Sequence, residues 1–535
     1  MIGSSIRALP MTRLSISLFL SLLLCAATAA QAADTFTFSN PLGPHAVGLQ
    51  VVRQYDSARV YKTRVDMTTG EATSGVRTRP MQMLLWYPAV RGGQPVIYRD
   101  YMDTMATEVE FTRSPADVGK ATQREIDRFA RARRPALLRD VMRPMAAVRD
   151  ARPANGKFPV VIYAPSFSAS AMENADLCEY LASQGYVVLS SASLGPRTRS
   201  MSADLEGLEA QAGDIAYLIG YANTLPQADI ARVAVVGFSW GGLANVLAAA
   251  KDDRIQAIVS LDGSVGSMRQ FVDGGKDAAK YVTPARVAIP MLFVGRRPPT
   301  VEELNRAEVD SRYSFLNEMK YSDVRIVTLL PMKHMDFSSY AMRVSQEDQF
   351  GDYTRDEIAL AHSWAMRYTR HFLDAYLKKD PNGLVFLGNS PAANRAPLHM
   401  VLASTRPKTG GMSPTLENFV ATLAADGFDQ AIPVYEKFAA QGSVFQLGPN
   451  EIYGWGTQLA QLNRQAQARE IFRLGDHLRP NDPYMLDGLA EMQAATGQTQ
   501  EAVNNYRRVL VLDPKNTDAA KYVREHGSGQ AGTAR

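Results

Sequence analysis

The chain has 535 residues, 46% of them hydrophobic and 21% charged, with a formal net charge of +4. That is ordinary globular composition, long enough for two or three domains, and it argues against nucleic-acid binding through bulk charge. Seven histidines and two cysteines keep the candidate bases and thiols few.

In chain order, Arg7 and Arg13 precede the apolar run LSISLFLSLLLCAATAA, and AQA follows at 30–32. A basic start, an apolar stretch and small residues at a cleavage point predict a signal peptide, residues 1–32, and an exported protein, periplasmic or secreted. The competing reading is an uncleaved membrane anchor. Leu24, before Cys25, departs from the small residue that a lipoprotein site needs. No later stretch is long and apolar enough to span a bilayer, so no transmembrane segment is expected after cleavage. Cleavage leaves Cys178 alone, which excludes an internal disulfide. Its apolar helical position in ADLCEYLASQG predicts a buried structural thiol.

MQMLLWYPA, from 81, reads as an early strand. Residues 100–153 are rich in Arg and Met with little strand pattern. They read as a helical insertion, either a cover (lid) over a site or a basic solvated face. A regular rhythm follows: strand FPVVIYA (158–164), helix 172–185 closed by Gly185, strand 186–193, helix 205–225, and strand 231–238. Strands at 255–263, 289–295 and 324–331 continue it. Alternation of this kind predicts a mostly parallel sheet with helices on both faces, with sites at the C-terminal strand ends.

The chemistry concentrates at VAVVGFSWGGLANVL (233–247). Ser239 sits in G-x-S-x-G between a buried strand and a helix. Gly237 and Gly241 let strand and helix approach, and the turn presents the hydroxyl. Asp262 ends the next strand in SLDGS, and His334 follows the last one in LLPMKHMDFSS. Ser239, Asp262, His334 is the chain order that a nucleophile, acid and base take in this kind of sheet. His362 and His371 lie inside a helical stretch and are poorer bases. For the acid, Asp262 leads. Glu302, Glu303 and Asp310 lie in or after the loop that follows the next strand, and Asp310 is the main rival. The backbone N–H groups of Trp240 and Phe167 are the expected oxyanion donors, with Ser166 as the alternative to Phe167. This chemistry calls for no cofactor and no metal.

APSFSAS, LCEYLASQGYVVLS, GFSWGG, SLDGS and H-M-D-F together resemble the platelet-activating-factor acetylhydrolase and dienelactone hydrolase group of α/β-hydrolases, over roughly 40–375. The position of the acid resembles the acetylhydrolase branch, which implies cleavage of short or oxidised acyl esters. Dienelactone hydrolases use a cysteine nucleophile where this chain has Ser239. The histidine often found at the oxyanion loop of such enzymes is replaced by Pro165.

Asn463, Ala468, Phe472 and Pro480 recur, 34 residues on, as Gly497, Ala502, Tyr506 and Pro514. The pattern resembles the tetratricopeptide repeat, with a degenerate earlier unit at 427–438. The expected layout is an α/β-hydrolase domain over 33–400, an all-α helical-repeat domain over 414–525, and a disordered tail at 526–535. The repeats either engage a protein partner, mediate self-association, or merely extend the fold. The function expected is an exported serine esterase acting on a small-molecule or lipid ester. The alternatives are a non-catalytic interaction protein on a hydrolase scaffold and an amide or peptide hydrolase.

Overall fold

The computed structural model describes residues 35–66, 69–133, 135–266, 268–272, 280–298, 300–306, 315–441 and 445–527. The predicted signal peptide, Asp310 and residues 528–535 lie outside these described residues. The chain divides into two units.

The first unit covers the described parts of Met1–Ala279, Ile289–Leu316 and Asp323–Arg406. It is built on an eleven-stranded sheet in the order β11-β10-β9-β8-β7-β5-β6-β2-β1-β4-β3. The strands are β1 (Ala46–Val60), β2 (Thr78–Ala89), β3 (Pro95–Ile97), β4 (Pro144–Arg149), β5 (Phe158–Ala164) and β6 (Val187–Ser191). They continue as β7 (Ala228–Phe238), β8 (Ile255–Leu261), β9 (Met291–Arg296), β10 (Val324–Leu329) and β11 (Val401–Arg406). From β6 through β5, β7, β8 and β9 to β10 every pairing is parallel. β2 and β11 flank this block in antiparallel pairing. The central strands read as unbroken apolar runs because helices cover both faces. Val160, Val161 and Ile162 of β5 are fully buried, as are Val233, Ala234, Val235 and Val236 of β7.

Around this sheet lie α1 (Tyr98–Met105), α2 (Pro115–Arg133), α3 (Pro135–Val141), α4 (Ala175–Ser183), α5 (Leu205–Ala222), α6 (Trp240–Lys251) and α7 (Arg355–Leu377). Three expectations need correction. Residues 100–153 are not wholly helical, because β4 pairs parallel with β1 inside that span. Its Arg-rich flanks mask a short strand that is only partly buried. The helix expected from 172 begins at Ala175, leaving Glu173 and Asn174 in the turn before it. The sheet also extends past residue 400 into β11, whose middle four residues are exposed and so carry no strand periodicity. Cys178 is free and fully buried, and burial pushes its thiol well above the usual range.

The second unit comprises Lys280–Ala288, Asn317–Ser322 and the described part of Pro407–Arg535. Its helices are α8 (Leu416–Asp426), α9 (Ala431–Ala439), α10 (Pro449–Gln461), α11 (Gln465–Leu478), α12 (Pro483–Ala495), α13 (Thr499–Leu512) and α14 (Thr517–His526). The α10–α11 pair and the α12–α13 pair start 34 residues apart, at 449 and 483. The turn in each pair uses a left-handed residue at the same register, Asn463 (φ 58°) and Gly497 (φ 80°). Ala468 and Ala502 are both fully buried. The small side chain lets neighbouring helices close up at equivalent points. Phe419, Phe438 and Phe445 pack into one core with Ile452 and Phe472, so α8, α9 and residues 445–447 close the open end of the first pair.

His362 in α7 is fully buried, with its ring edge-on to Phe36 (centroids 5.6 Å apart). Burial lowers its pKa to about 4 from 6.5, with Arg343 adding to the fall and Asp176 opposing it. The unfolded chain therefore takes up this proton near pH 6.5 and the folded chain only near 4, so stability falls as the pH drops through that window. Glu179 acts in the opposite sense, since burial holds its carboxyl up at about 7. Comparing a variant with the wild type cancels that contribution. His362→Leu is expected to flatten the fall in Tm between about pH 6.5 and 4.5. An unchanged slope contradicts the assignment of His362 as a buried neutral histidine.

Candidate active site

β7 ends at Phe238, α6 begins at Trp240, and Ser239 alone makes the turn, with φ 54° and ψ −115°. A non-glycine residue in that region is strained and persists only where its surroundings over-determine it. The Ser239 N–H donates to the Leu261 carbonyl (3.0 Å). Its own carbonyl accepts from Gly242 and Ser264 N–H (both 3.1 Å). The glycines explain how strand, turn and helix fit. A Cβ on Gly241 would lie 2.1 Å from the Ala164 carbonyl oxygen, and one on Gly237 would lie 2.5 Å from the Gly241 backbone carbon.

Asp262 follows β8 with φ 42° and donates its N–H to the Val294 carbonyl (2.6 Å). Its Oδ1 accepts the Arg296 N–H (3.2 Å), and the Arg296 guanidinium lies 3.4 Å from Oδ2. That same Oδ2 is 2.6 Å from His334 Nδ1, and His334 Nε2 is 2.9 Å from Ser239 Oγ. With Nδ1–H donating to the carboxylate, Nε2 of the neutral ring is the acceptor and Ser239 Oγ–H the donor. The imidazole rests against Phe238, with ring centroids 5.0 Å apart. The carboxylate is nearly buried while the imidazole keeps about a third of its surface open, with side-chain exposures of 10% and 36%. The sheet therefore brings three residues from the ends of β7, β8 and β10 into one hydrogen-bonded row. This row can move a proton off a hydroxyl and hold the resulting cation.

The rival residues go elsewhere. His362 lies in the core. His371 stacks on Phe386 (3.8 Å), and burial lowers its pKa to about 4. Glu302 pairs with Arg306, and Glu303 pairs with Arg297 on the surface.

Among the described residues, the Phe167 and Trp240 N–H groups have no hydrogen-bond acceptor, and the two rings meet edge to face at 5.3 Å. The Ser166 N–H is taken by Glu173 Oε2 (2.9 Å), which removes Ser166 as an alternative donor. A cavity of about 800 Å³ opens beside His334. Phe167, Met172 and Tyr340 line it, and Phe129 of α2 brings the 100–153 segment to its wall. Arg199, Arg296 and Lys333 also border it. Sequence reading missed Glu173 and Asn174, which are 5% and 0% exposed at the N-terminal end of α4. The signal was present as two polar residues between the oxyanion loop and an apolar helix.

Residues 136–391 match the family model described as X-Pro dipeptidyl-peptidase (S15 family). That span contains Ser239, Asp262 and His334 and is a little under half of the chain. The structure is similar to a ferulic acid esterase from Streptomyces cinnamoneus, with 19% identity and a TM-score of 0.46 over 68% of this chain and 98% of that chain. No curated protein matches the chain. The fold is of the α/β-hydrolase type, with a mostly parallel sheet, joined to a C-terminal helical domain. The matching family is not the acetylhydrolase and dienelactone hydrolase group that the motifs resemble. What the two have in common is this fold. Among the described residues there is no cluster of metal-ligating side chains and no helix long and apolar enough to cross a membrane.

Gly241→Ala is expected to force α6 away from the oxyanion loop, because the new methyl meets backbone rather than a flexible side chain. Overpacking of this kind costs about 1–3 kcal/mol, so thermal melting should show a drop of several degrees. A variant that melts with the wild type contradicts the close approach of Gly241 to the Ala164 carbonyl.

Proposed function

We propose that this chain is a serine hydrolase that cleaves carboxylic esters through an acyl-enzyme. The observation that carries the reading is the row Ser239 Oγ, His334 and Asp262, with separations of 2.9 and 2.6 Å. In this mechanism Ser239 Oγ attacks the ester carbonyl carbon as His334 Nε2 takes its proton. Asp262 stabilises the imidazolium and fixes the tautomer. The carbonyl oxygen, now negative, accepts the Phe167 and Trp240 N–H groups. Collapse expels the alcohol, which takes the proton from His334 and leaves Ser239 acylated. Water then enters by the same proton route and releases the acid.

The cavity lining favours an ester with an apolar portion over a peptide with a free amino terminus. Phe129, Phe167, Met172, Tyr340 and Val344 offer apolar surface. Recognition of an α-ammonium needs carboxylate acceptors, and each of those in the wall already accepts at least one hydrogen bond from the protein. Glu125 accepts from Tyr340 Oη (2.9 Å) and Arg128 (2.7 Å), Glu173 from Ser166, and Asp336 from the Lys333 N–H (2.7 Å). The second reading, cleavage after an X-Pro dipeptide, draws on the family match over 136–391. The acetylhydrolase resemblance narrows the first reading to short acyl or lipid-derived esters.

We also infer that residues 1–32 direct export, from their basic, apolar and small-residue pattern. The 34-residue helix pairs are read as tetratricopeptide-like, serving a protein partner or self-association.

Turnover of p-nitrophenyl esters of graded acyl length, set against Ala-Pro p-nitroanilide, tests the reading. Ester turnover is expected to exceed anilide turnover, to vanish in Ser239→Ala, and to fall by about four orders of magnitude in Asp262→Asn. Anilide cleavage as the dominant activity moves the assignment to the peptidase reading. Full ester turnover in Ser239→Ala removes the assignment altogether.

A further inference from the structure

We propose that Glu173 and Asn174 are positioning residues, a strap that locks the oxyanion loop and the histidine segment into one body; this rests on the hydrolase reading above. Both side chains are buried in the turn before α4, between residues 165–171 on one side and 334–340 on the other.

Toward the oxyanion loop, Glu173 Oε2 accepts the Ser166 N–H (2.9 Å) and the Tyr163 hydroxyl (3.1 Å), and Oε1 accepts the Ser166 hydroxyl (2.5 Å). The Ala169 N–H closes a turn onto the Ser166 carbonyl (3.0 Å). Ser168 is left-handed, with φ 57°, and its carbonyl accepts from Arg199 (3.0 Å). With the Ser166 and Ala169 N–H groups committed inward, the Phe167 N–H stays uncommitted and can serve a developing oxyanion. Glu173 thus takes the Ser166 amide out of that role and anchors the start of the loop.

Toward the histidine, Asn174 Nδ2 donates to the Phe337 carbonyl (2.9 Å), and Oδ1 accepts the Ser339 N–H (2.7 Å). The Glu173 carbonyl accepts the Tyr340 N–H (3.0 Å). The 3₁₀ turn at His334–Phe337 carries the base itself. The two side chains are also joined, since Asn174 Nδ2 donates to the Tyr163 hydroxyl (2.6 Å), which donates to Glu173. Two adjacent residues therefore fix the oxyanion donor and the general base relative to each other. Misplacing such groups by about 1 Å costs about 100-fold in rate.

A merely structural role predicts lower stability without a selective loss of kcat. The two amide and alanine variants of Glu173 separate the roles. Gln keeps an oxygen for the Ser166 N–H and the Tyr163 hydroxyl, and its amide can donate to Ser166 Oγ. Ala removes all three bonds. The measurement is kcat and KM for a p-nitrophenyl ester with the full chain, at temperatures below each variant's melting. Glu173→Ala and Asn174→Ala are expected to lower kcat by about 100-fold with KM within about threefold, and Glu173→Gln to recover to within about fivefold of wild type. If the alanine variants do not fold, Ser166→Ala, which removes one bond, should still lower kcat about three- to tenfold. Unaffected kcat, a loss confined to KM, or a Gln variant as impaired as Ala overturns the strap. A wild type without turnover, or one that keeps it in Ser239→Ala, overturns the hydrolase reading and the strap's role with it. An active, Ser239-dependent wild type with unaffected strap variants overturns the strap alone.

Discussion

The site depends on one left-handed residue. Ser239 can hold φ 54° only because Gly237 and Gly241 remove the side chains that would collide there, and because three backbone hydrogen bonds pin it from both sides. Strain of this kind costs on the order of 1–3 kcal/mol and must be offset by the surrounding packing. Here the offset comes from a sheet whose central strands are fully buried and from α6, which is buried along nearly its whole length. The result is a hydroxyl held at the C-terminal edge of the sheet, where residues after β8 and β10 can reach it.

Asp262 meets the same demand at the end of β8. Its φ of 42° turns the carboxylate away from its own strand and toward His334. Both residues thus leave regular β geometry immediately after their strands. His334 adds the third element through a short 3₁₀ turn, capped by the Asp336 carboxylate on the Lys333 N–H (2.7 Å). Burial raises the Asp336 carboxyl to about 6. The geometry is set by backbone turns at three strand ends, and Glu173 and Asn174, in the turn before α4, bond to both the last of these and residues 163–166. Arg343, a few residues beyond His334, reinforces that tie with a buried two-pronged ion pair to Asp176 of α4 (2.6 and 2.8 Å).

Much of this was legible in the sequence because the central strands are covered on both faces and so appear as continuous apolar runs. Strand β5 was predicted over 158–164 and is found there. The row Ser239, Asp262 and His334 was readable because Ser239 and Asp262 follow such runs directly and four residues separate His334 from β10. The parts that escaped have a common cause. The strand β1 is buried only at Val47–Leu49 and Asp56, β4 is short and flanked by arginines, and β11 is exposed along most of its length. None presents an apolar run. Glu173 and Asn174 escaped for a different reason. Their partners, Ser166 on one side and Phe337 and Ser339 on the other, are joined to them only by the fold, and Ser339 is 165 residues away.

The central claim is that His334 draws the proton from Ser239 so that this hydroxyl, and no other, is nucleophilic. Intact-mass and peptide mass spectrometry after treatment with a fluorophosphonate measures it most directly. The account predicts a single adduct on Ser239 in the wild type, and a rate of adduct formation lower by several orders of magnitude, about 10³-fold or more, in His334→Ala. An adduct on a different residue, or undiminished labelling of Ser239 without His334, would contradict it.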